Sequence, residues 1–275
     1  MKVLTFGEVM LRLETTEHLK ILQADTFEAN YGGAEANVAV SLATLGDDVS
    51  YVTKVPEHQV GQAAVNEIRR FGVDTSRVLR GGGRVGIYYF EKGTNIRPTS
   101  VVYDRAYSAI AMAKAEEFDW EKLLDGVDLF YFSGITPAIS TEIEKALENA
   151  LALCREKKIQ VVCDLNYRGK MWSAKDAQRV MRRLMAYVDV CIANDEDFES
   201  SLGIPAYDGD MSRGIEQIES YKEGMLEIQK QFPNCKAVCE CAAQSLHRGG
   251  RRLDGNLPEK TEKFYESRFV KYTAL

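Results

Sequence analysis

The chain has 275 residues, with 35 Lys and Arg against 41 Asp and Glu, a formal net charge of −6. Apolar residues make up 45% and charged residues 28%, ordinary proportions for a globular protein whose core needs no disulfides or metals. The acidity argues against nucleic acid as the main partner, because phosphate backbones demand clustered positive charge. No run of about 20 uninterrupted apolar residues marks a membrane span. Residues 1–6 lack the apolar region and cleavage site of a secretion signal, so the expected compartment is the cytoplasm. There the six cysteines default to thiols. Cys235, Cys239 and Cys241 have C-x3-C-x-C spacing without a second ligand cluster, and no metal is assigned to them. No H-E-x-x-H pair and no G-x-S-x-G elbow occurs.

In chain order, residues 3–7 read as a first strand, and the Ala-rich period over 34–45 as a helix. Residues 49–55 read as a strand and 60–71 as a helix. Strand 129–133 follows, then a long helical period over 141–157, N-capped by Ser140 or Thr141. Strand 159–164, helix 174–186, strand 188–193 and helix 214–232 complete the alternation. The strands at 129–133, 159–164 and 188–193 are near-continuous apolar runs, as strands buried on both faces should be. Strand and helix in alternation predict an α/β fold, a mostly parallel sheet with helices on both faces. Residues 8–31 and 84–105 break this rhythm. They hold strand-like segments with no following helix. Val85–Phe90 and Ser100–Tyr103, with a turn at 92–95, predict a hairpin. These pieces suit a small extra sheet placed where a lid would be.

The most informative segment is Gly32-Gly33-Ala34-Glu35-Ala36-Asn37. Two glycines open a helix and an Asn sits one turn in. Glycines let a ligand approach the backbone, and a helix N-terminus presents unpaired N–H groups to oxygen atoms. A plain glycine turn before an amphipathic helix explains the same residues about as well. The chain also carries Gly134-Ile135-Thr136-Pro137, Asp164-Leu165-Asn166-Tyr167-Arg168 with Met171-Trp172, and Ala193-Asn194-Asp195-Glu196-Asp197. In order and spacing these motifs resemble the PfkB, or ribokinase-like, carbohydrate kinases, and within them the 2-keto-3-deoxygluconate kinases. The resemblance covers about residues 1–235.

It implies a ribokinase-like three-layer sandwich with a mostly parallel central sheet and a small β-sheet lid. Residues 1–275 would form one such domain, with the lid built from about 8–31 and 84–105. It also implies dimers made through the lid, and ATP-dependent phosphorylation of a sugar hydroxyl with Mg²⁺. Carried over by motif, Gly33 and Asn37 would contact sugar hydroxyls. Tyr89, Tyr103 and Arg105 would be lid-side contacts, and Arg168 would face the same pocket. Arginine suits the carboxylate of a sugar acid, because its planar fork matches one. Cross-strand packing accounts equally for Tyr88, Tyr89 and Tyr103, and surface ion pairs for the two arginines. Asn194 and Asp197 match the family's N-x-x-E segment, which organises Mg²⁺ and phosphate, except that Asp197 is one methylene shorter than Glu; Glu196 is a substitute. An acidic helix N-terminus favoured by the dipole is the other explanation.

The family continues into a G-x-G-D loop whose backbone stabilises the transferring phosphoryl and whose Asp is the general base. No such run occurs in the 275 residues; Gly81-Gly82-Gly83 and Gly249-Gly250 are not followed by Asp, and no Walker A sequence is present. Residues 239–252 lack the expected strand and turn, while 263–268 again resemble the family. The expectation is a C-terminally truncated sugar kinase with impaired catalysis and an incomplete adenine site, its catalytic base unassigned. The other readings are a non-catalytic acidic-sugar-binding pseudokinase module and a fructokinase- or ribokinase-type enzyme. A dinucleotide-dependent oxidoreductase ranks far lower, because Gly7 stands alone where G-x-G-x-x-G is needed.

Overall fold

The structure is a computed structural model and describes residues 1–94, 97–205, 218–246, 250–259, 263–266 and 270–273; the side chains at 195, 218–221, 240–246 and beyond 249 are outside the description. Asn95 of the expected turn, the first residues of the expected 214–232 helix, the Cys241 side chain and residues 247–249, 267 and 268 therefore lie outside the described residues.

The elements in order are β1 (Lys2–Phe6), β2 (Met10–Thr15), β3 (Phe27–Gly32), α1 (Ala34–Thr44), β4 (Asp48–Val52), β5 (Lys54–Val55), α2 (Gln59–Arg69), β6 (Leu79–Arg80), β7 (Gly86–Glu91), β8 (Ser100–Asp104), α3 (Trp120–Leu123) and β9 (Leu129–Ser133). Then come α4 (Thr141–Lys157), β10 (Gln160–Asp164), α5 (Ala174–Leu184), β11 (Val190–Ala193), α6 (Asp195–Leu202), α7 (Ile218–Gln231), β12 (Ala237–Leu246), β13 (Gly250–Glu259), β14 (Lys263–Glu266) and β15 (Val270–Thr273). The chain divides into two compact units, Met1–Tyr131 with Ile139–Ala150, and Phe132–Ala138 with Leu151–Leu275.

In the first unit β1 runs parallel to both β4 and β9. Its alternation buries both faces. Val3 joins Val49, Tyr51, Ala36, Ala39, Val65 and Ile68 in one cluster. On the other face Phe6 meets the Phe118 and Trp120 rings edge-on at 5.2 and 5.1 Å. A strand so covered favours apolar residues on both faces, and Val3, Leu4 and Phe6 supply them, with Thr5 the buried polar position between them. The 49–55 run ends as a β4 strand and then restarts as β5, which pairs with β6. A separate four-stranded sheet has the order β3-β2-β7-β8. Here β7 and β8 pair antiparallel, and β2 pairs parallel with β7.

In the second unit β10, β11 and β12 are parallel neighbours. Cys163 and Cys191 face each other across β10 and β11 and pack as small hydrophobes. Burial pushes the Cys154 and Cys235 thiols up to about 12, which keeps them protonated and inert. Residues 239–246 and 250–252 depart from expectation: β12 pairs parallel with β11 from Ala237 to Glu240 and antiparallel with β13 from Glu240 to Leu246. The stretch has few β-branched residues. Pairing with β11 up to Glu240 and with β13 beyond it, rather than propensity, makes it a strand.

Candidate sugar-binding site

Two glycines, Gly33 and Gly86, pack against Glu8 where the first unit's chain segments meet. β1 ends at Phe6, and the next two residues are Gly7 and Glu8. β3 ends at Gly32, and Gly33 is the N-cap of α1 with no side-chain cap on the first N–H groups. Its backbone is extended, at φ −176°, so conformation does not require glycine there. Space does: a Cβ on Gly33 would lie 2.0 Å from the Glu8 carbonyl oxygen. At Gly86, a Cβ would lie 2.7 Å from Glu8 Oε1 and 3.3 Å from the Arg105 Cβ. Gly33, Glu8, Gly86 and Arg105 therefore converge. Replacing Gly33 by alanine is expected to destabilise the chain by about 2–4 kcal/mol, because backbone has to move to admit the methyl. Chemical denaturation checks this, and a loss under about 0.5 kcal/mol would mean that the contact yields freely.

The Glu8 side chain is 2% exposed. Its Oε1 accepts from the Ser108 hydroxyl at 2.6 Å, and its Oε2 pairs with the Arg105 guanidinium. The Ser108 N–H donates to the Arg105 carbonyl at 3.3 Å, closing a turn. Tyr107, inside that turn, is 74% exposed and left-handed, at φ 59°. The strand end just before it is fixed as well: Arg84 binds Asp104 through both nitrogens, at 2.9 and 2.8 Å. That bridge holds the Asp104 carboxyl below the usual range and the Arg84 guanidinium above its own. Asn37, one turn into α1, is exposed.

The register of the four-stranded sheet sorts the aromatic residues. Tyr88 opposes Tyr103, and Tyr89 opposes Val102. Cross-strand partners share a face and neighbours alternate, so Tyr103 shares its face with Tyr88 while Tyr89 lies on the other. The contacts agree: the Tyr88 and Tyr103 rings lie 5.9 Å apart, and Tyr89 meets Phe27 edge-on at 6.0 Å. Arg105, beside Gly86 and Met10, continues the Tyr103 face. Arg12 covers the Phe90 ring there at 3.9 Å.

In the second unit the Asp164–Arg168 segment leaves β10 and meets the start of α6. Gly134 backs onto this loop, since a Cβ there would lie 2.1 Å from the Leu165 carbonyl oxygen. Asn166 takes a left-handed backbone, at φ 38°. Asn194 caps α6 by accepting the Asp197 N–H at 3.0 Å. Asp197 answers with Oδ2 on the Asn194 N–H at 3.1 Å, a reciprocal capping box. Its Oδ1 accepts the Tyr167 N–H at 2.7 Å. Both oxygens of this 2% exposed residue are thus committed to backbone. Arg168 is exposed and donates to the Tyr167 carbonyl at 3.1 Å.

Burial raises the Asp197 carboxyl above the ordinary aspartate value, against its two backbone N–H donors and Arg168. Its ionisation therefore costs stability as pH rises through the raised value, and that cost is absent below the unfolded value. Asp197→Ala is expected to cost about 2–4 kcal/mol, from two lost hydrogen bonds to a buried carboxyl, one of them its half of the capping box. Urea titration of both proteins at neutral pH checks it; a loss below about 1 kcal/mol would remove the staple role.

Among the described residues no group of three or more His, Cys, Asp or Glu could hold a metal ion. Asp197, occupied on both oxygens, does not fit as a direct ligand either, so no step is routed through a protein-held metal. The sequence reading missed Glu8 and Ser108. The signal for Glu8 was present: an acid directly after a strand buried on both faces has to be paired or neutralised.

The fold is α/β with mostly parallel strands, a separate small sheet and a glycine-opened helix packed against the Glu8 backbone, the architecture of the ribokinase-like class. The chain belongs to the pfkB family of carbohydrate kinases, whose model matches residues 1–232. It is similar to a 2-dehydro-3-deoxygalactonokinase of Haloferax volcanii, 36% identical over 209 residues, covering 76% of this chain and 64% of the relative. It is 30% identical over 170 residues to a 2-dehydro-3-deoxygluconokinase of Bacillus subtilis, covering 61% of this chain and 52% of the relative. The crystal structure of the Thermotoga maritima 2-dehydro-3-deoxygluconokinase superposes with a TM-score of 0.92 at 45% identity, over 99% of this chain and 81% of that one. The chain thus spans less than two thirds of the length of these curated relatives.

Proposed function

We propose that the chain binds a 2-keto-3-deoxy sugar acid and belongs to a kinase that phosphorylates a hydroxyl of it, with 2-keto-3-deoxygluconate (also called 2-dehydro-3-deoxygluconate) as the first candidate. The observation that carries this is Arg105, held by a buried carboxylate beside the glycines that open α1. The three similar proteins are named for two sugar acids that both bear a carboxylate. An arginine with a fixed guanidinium recognises that group in a way a neutral hexose cannot use. Gly33 and Asn37 would receive the sugar hydroxyls. Tyr103 shares the Arg105 face and would cover the ring, and Tyr89, on the opposite face, would reach a ligand only from that side. By the resemblance, Arg168 would contact a sugar and Asn194 would serve the phosphate region. Asp197 would act by holding the Asn194 and Tyr167 backbone rather than by touching metal.

ATP, the phosphoryl donor of the family, would bring Mg²⁺ with its own phosphates and supply the transferable group. The chain's residues bind and orient the sugar and exclude water from it. On this reading residues 1–275 form one ribokinase-like domain. The four-stranded sheet is its lid and the surface for a second copy. No helix of the described residues is long and apolar enough to cross a membrane, in keeping with a cytoplasmic enzyme.

Thermal melting tests the ligand class. At about 100 times its Kd, 2-keto-3-deoxygluconate should stabilise the chain by roughly 2.7 kcal/mol, a rise of several degrees. Fructose at the same concentration should produce little shift. An unmoved transition with the sugar acid at millimolar concentration would count against the reading.

A further inference from the structure

We propose that Glu8 is a positioning residue for substrate selection: its buried carboxylate sets the Arg105 guanidinium in the orientation that reads a sugar carboxylate. This rests on the sugar-acid reading above. Three observations support it. First, Glu8 divides its two oxygens between the two ends of one turn, Oε2 on Arg105 and Oε1 on Ser108. The turn is thereby clamped from below at both ends, and the Arg105 side chain can leave its place only by stranding a buried charge. Second, Gly33 and Gly86 both lie against Glu8, where any larger residue would strike its carbonyl or its carboxylate. Gly86 leaves room for the Glu8 carboxylate itself, and Gly33 leaves room for the backbone that carries it. Third, the Arg84–Asp104 bridge fixes the residue before Arg105 independently. That bridge holds the strand end at Asp104, so what Glu8 adds is the orientation of the Arg105 guanidinium and the Ser108 end of the turn.

A purely structural ion pair predicts something different. If Glu8 only neutralised Arg105, its loss would lower stability and weaken every ligand alike. A positioning role predicts a selective loss, confined to ligands with a carboxylate and transmitted through Arg105.

The test is a double-mutant cycle on the full chain, read by titration calorimetry with 2-keto-3-deoxygluconate and with fructose. Glu8→Gln keeps the volume of the side chain and removes its charge. It should weaken the sugar acid by roughly tenfold or more while changing fructose by less than about threefold. In an Arg105→Lys background, the same Glu8→Gln change should add less than about twofold, because the planar fork it orients is gone. Ser108→Ala removes one anchor and keeps the charge; it should weaken the sugar acid by roughly threefold to tenfold, and it serves if Glu8→Gln does not fold. Equal losses for acid and neutral sugar, or full additivity in the cycle, would overturn the positioning role while leaving the sugar-acid reading intact. Failure of the unaltered chain to bind the sugar acid would overturn that reading, and with it this inference.

Discussion

Replacing Arg105 by alanine is expected to cost about 2–5 kcal/mol of binding to 2-keto-3-deoxygluconate, since it removes one partner of a desolvated charge contact. It should also lower folding stability by about 3–5 kcal/mol, because Glu8 is left buried without its cation. Both losses follow from the same geometry. Glu8 is 2% exposed and Arg105 17%, so solvent screens their interaction little. Arg105→Lys separates the two effects. Lysine can still neutralise Glu8, so the fold should survive, but an ammonium cannot offer a planar fork to a second carboxylate. Its expected signature is a melting temperature near that of the parent, with sugar-acid affinity reduced by about tenfold. Calorimetry and thermal melting on the two variants read these quantities directly. Unchanged affinity in both would show that Arg105 is an ion pair of the scaffold and no part of the sugar site.

We propose, from the resemblance to the family alone, that turnover by this chain is very low. Its 275 residues contain no G-x-G-D run, the segment to which the family's general base and phosphoryl-stabilising backbone belong. A positioned base contributes about 10² to 10⁴ in rate, and one preorganised oxyanion donor about 10² to 10³. These contributions act as a unit and need not multiply. A coupled assay for ATP consumption, with 2-keto-3-deoxygluconate and Mg²⁺, gives the answer. A rate in the ordinary kinase range of about 1–100 s⁻¹ would mean that another carboxylate performs this role. Asp195, Asp197 and Asp254 are the residues to replace in that event. Of these, Asp197 has its oxygens committed to the Tyr167 and Asn194 backbone, and the Asp195 and Asp254 side chains lie outside the described residues.

The parts of the fold legible in the sequence are those whose signal is local. Strand β9 falls where a continuous apolar run placed it, and α4 spans 141–157 with the Ser140 hydroxyl accepting the Ile143 N–H at 3.3 Å. Burial on both faces writes itself into every residue of a strand, and a cap is a contact within one turn. The 49–55 run misled because composition does not mark where a ladder changes partner: β4 pairs with β1, and β5 pairs with β6. Strand β12 was hidden because its pairing with β11 is long-range, and Cys-Glu-Cys-Ala-Ala-Gln announces no strand by itself.

The site divides the same way. Gly33 and Asn37 were readable as a glycine-opened helix. The sorting of Tyr89 from Tyr103 was not, because it depends on hairpin register, and a shift of one residue would exchange the faces. Glu8 stands 97 residues from Arg105 and 100 from Ser108, so no spacing rule links them. Only the cost of burying a lone carboxylate pointed to a partner. The acidic Asn194–Asp197 motif was legible as a helix start, and the structure adds the long-range bond to Tyr167 that ties it to the Asp164–Arg168 loop.

Calorimetric titration of the unaltered chain with 2-keto-3-deoxygluconate and with fructose, at two salt concentrations, tests the sugar-acid assignment most directly. The sugar acid should bind at least about tenfold more tightly, a difference near 1.4 kcal/mol. That preference should largely survive added salt, because a desolvated arginine–carboxylate contact is screened little. Equal affinity for the two sugars, or a preference for the acid that added salt abolishes, would contradict the assignment of Arg105 as the reader of a substrate carboxylate.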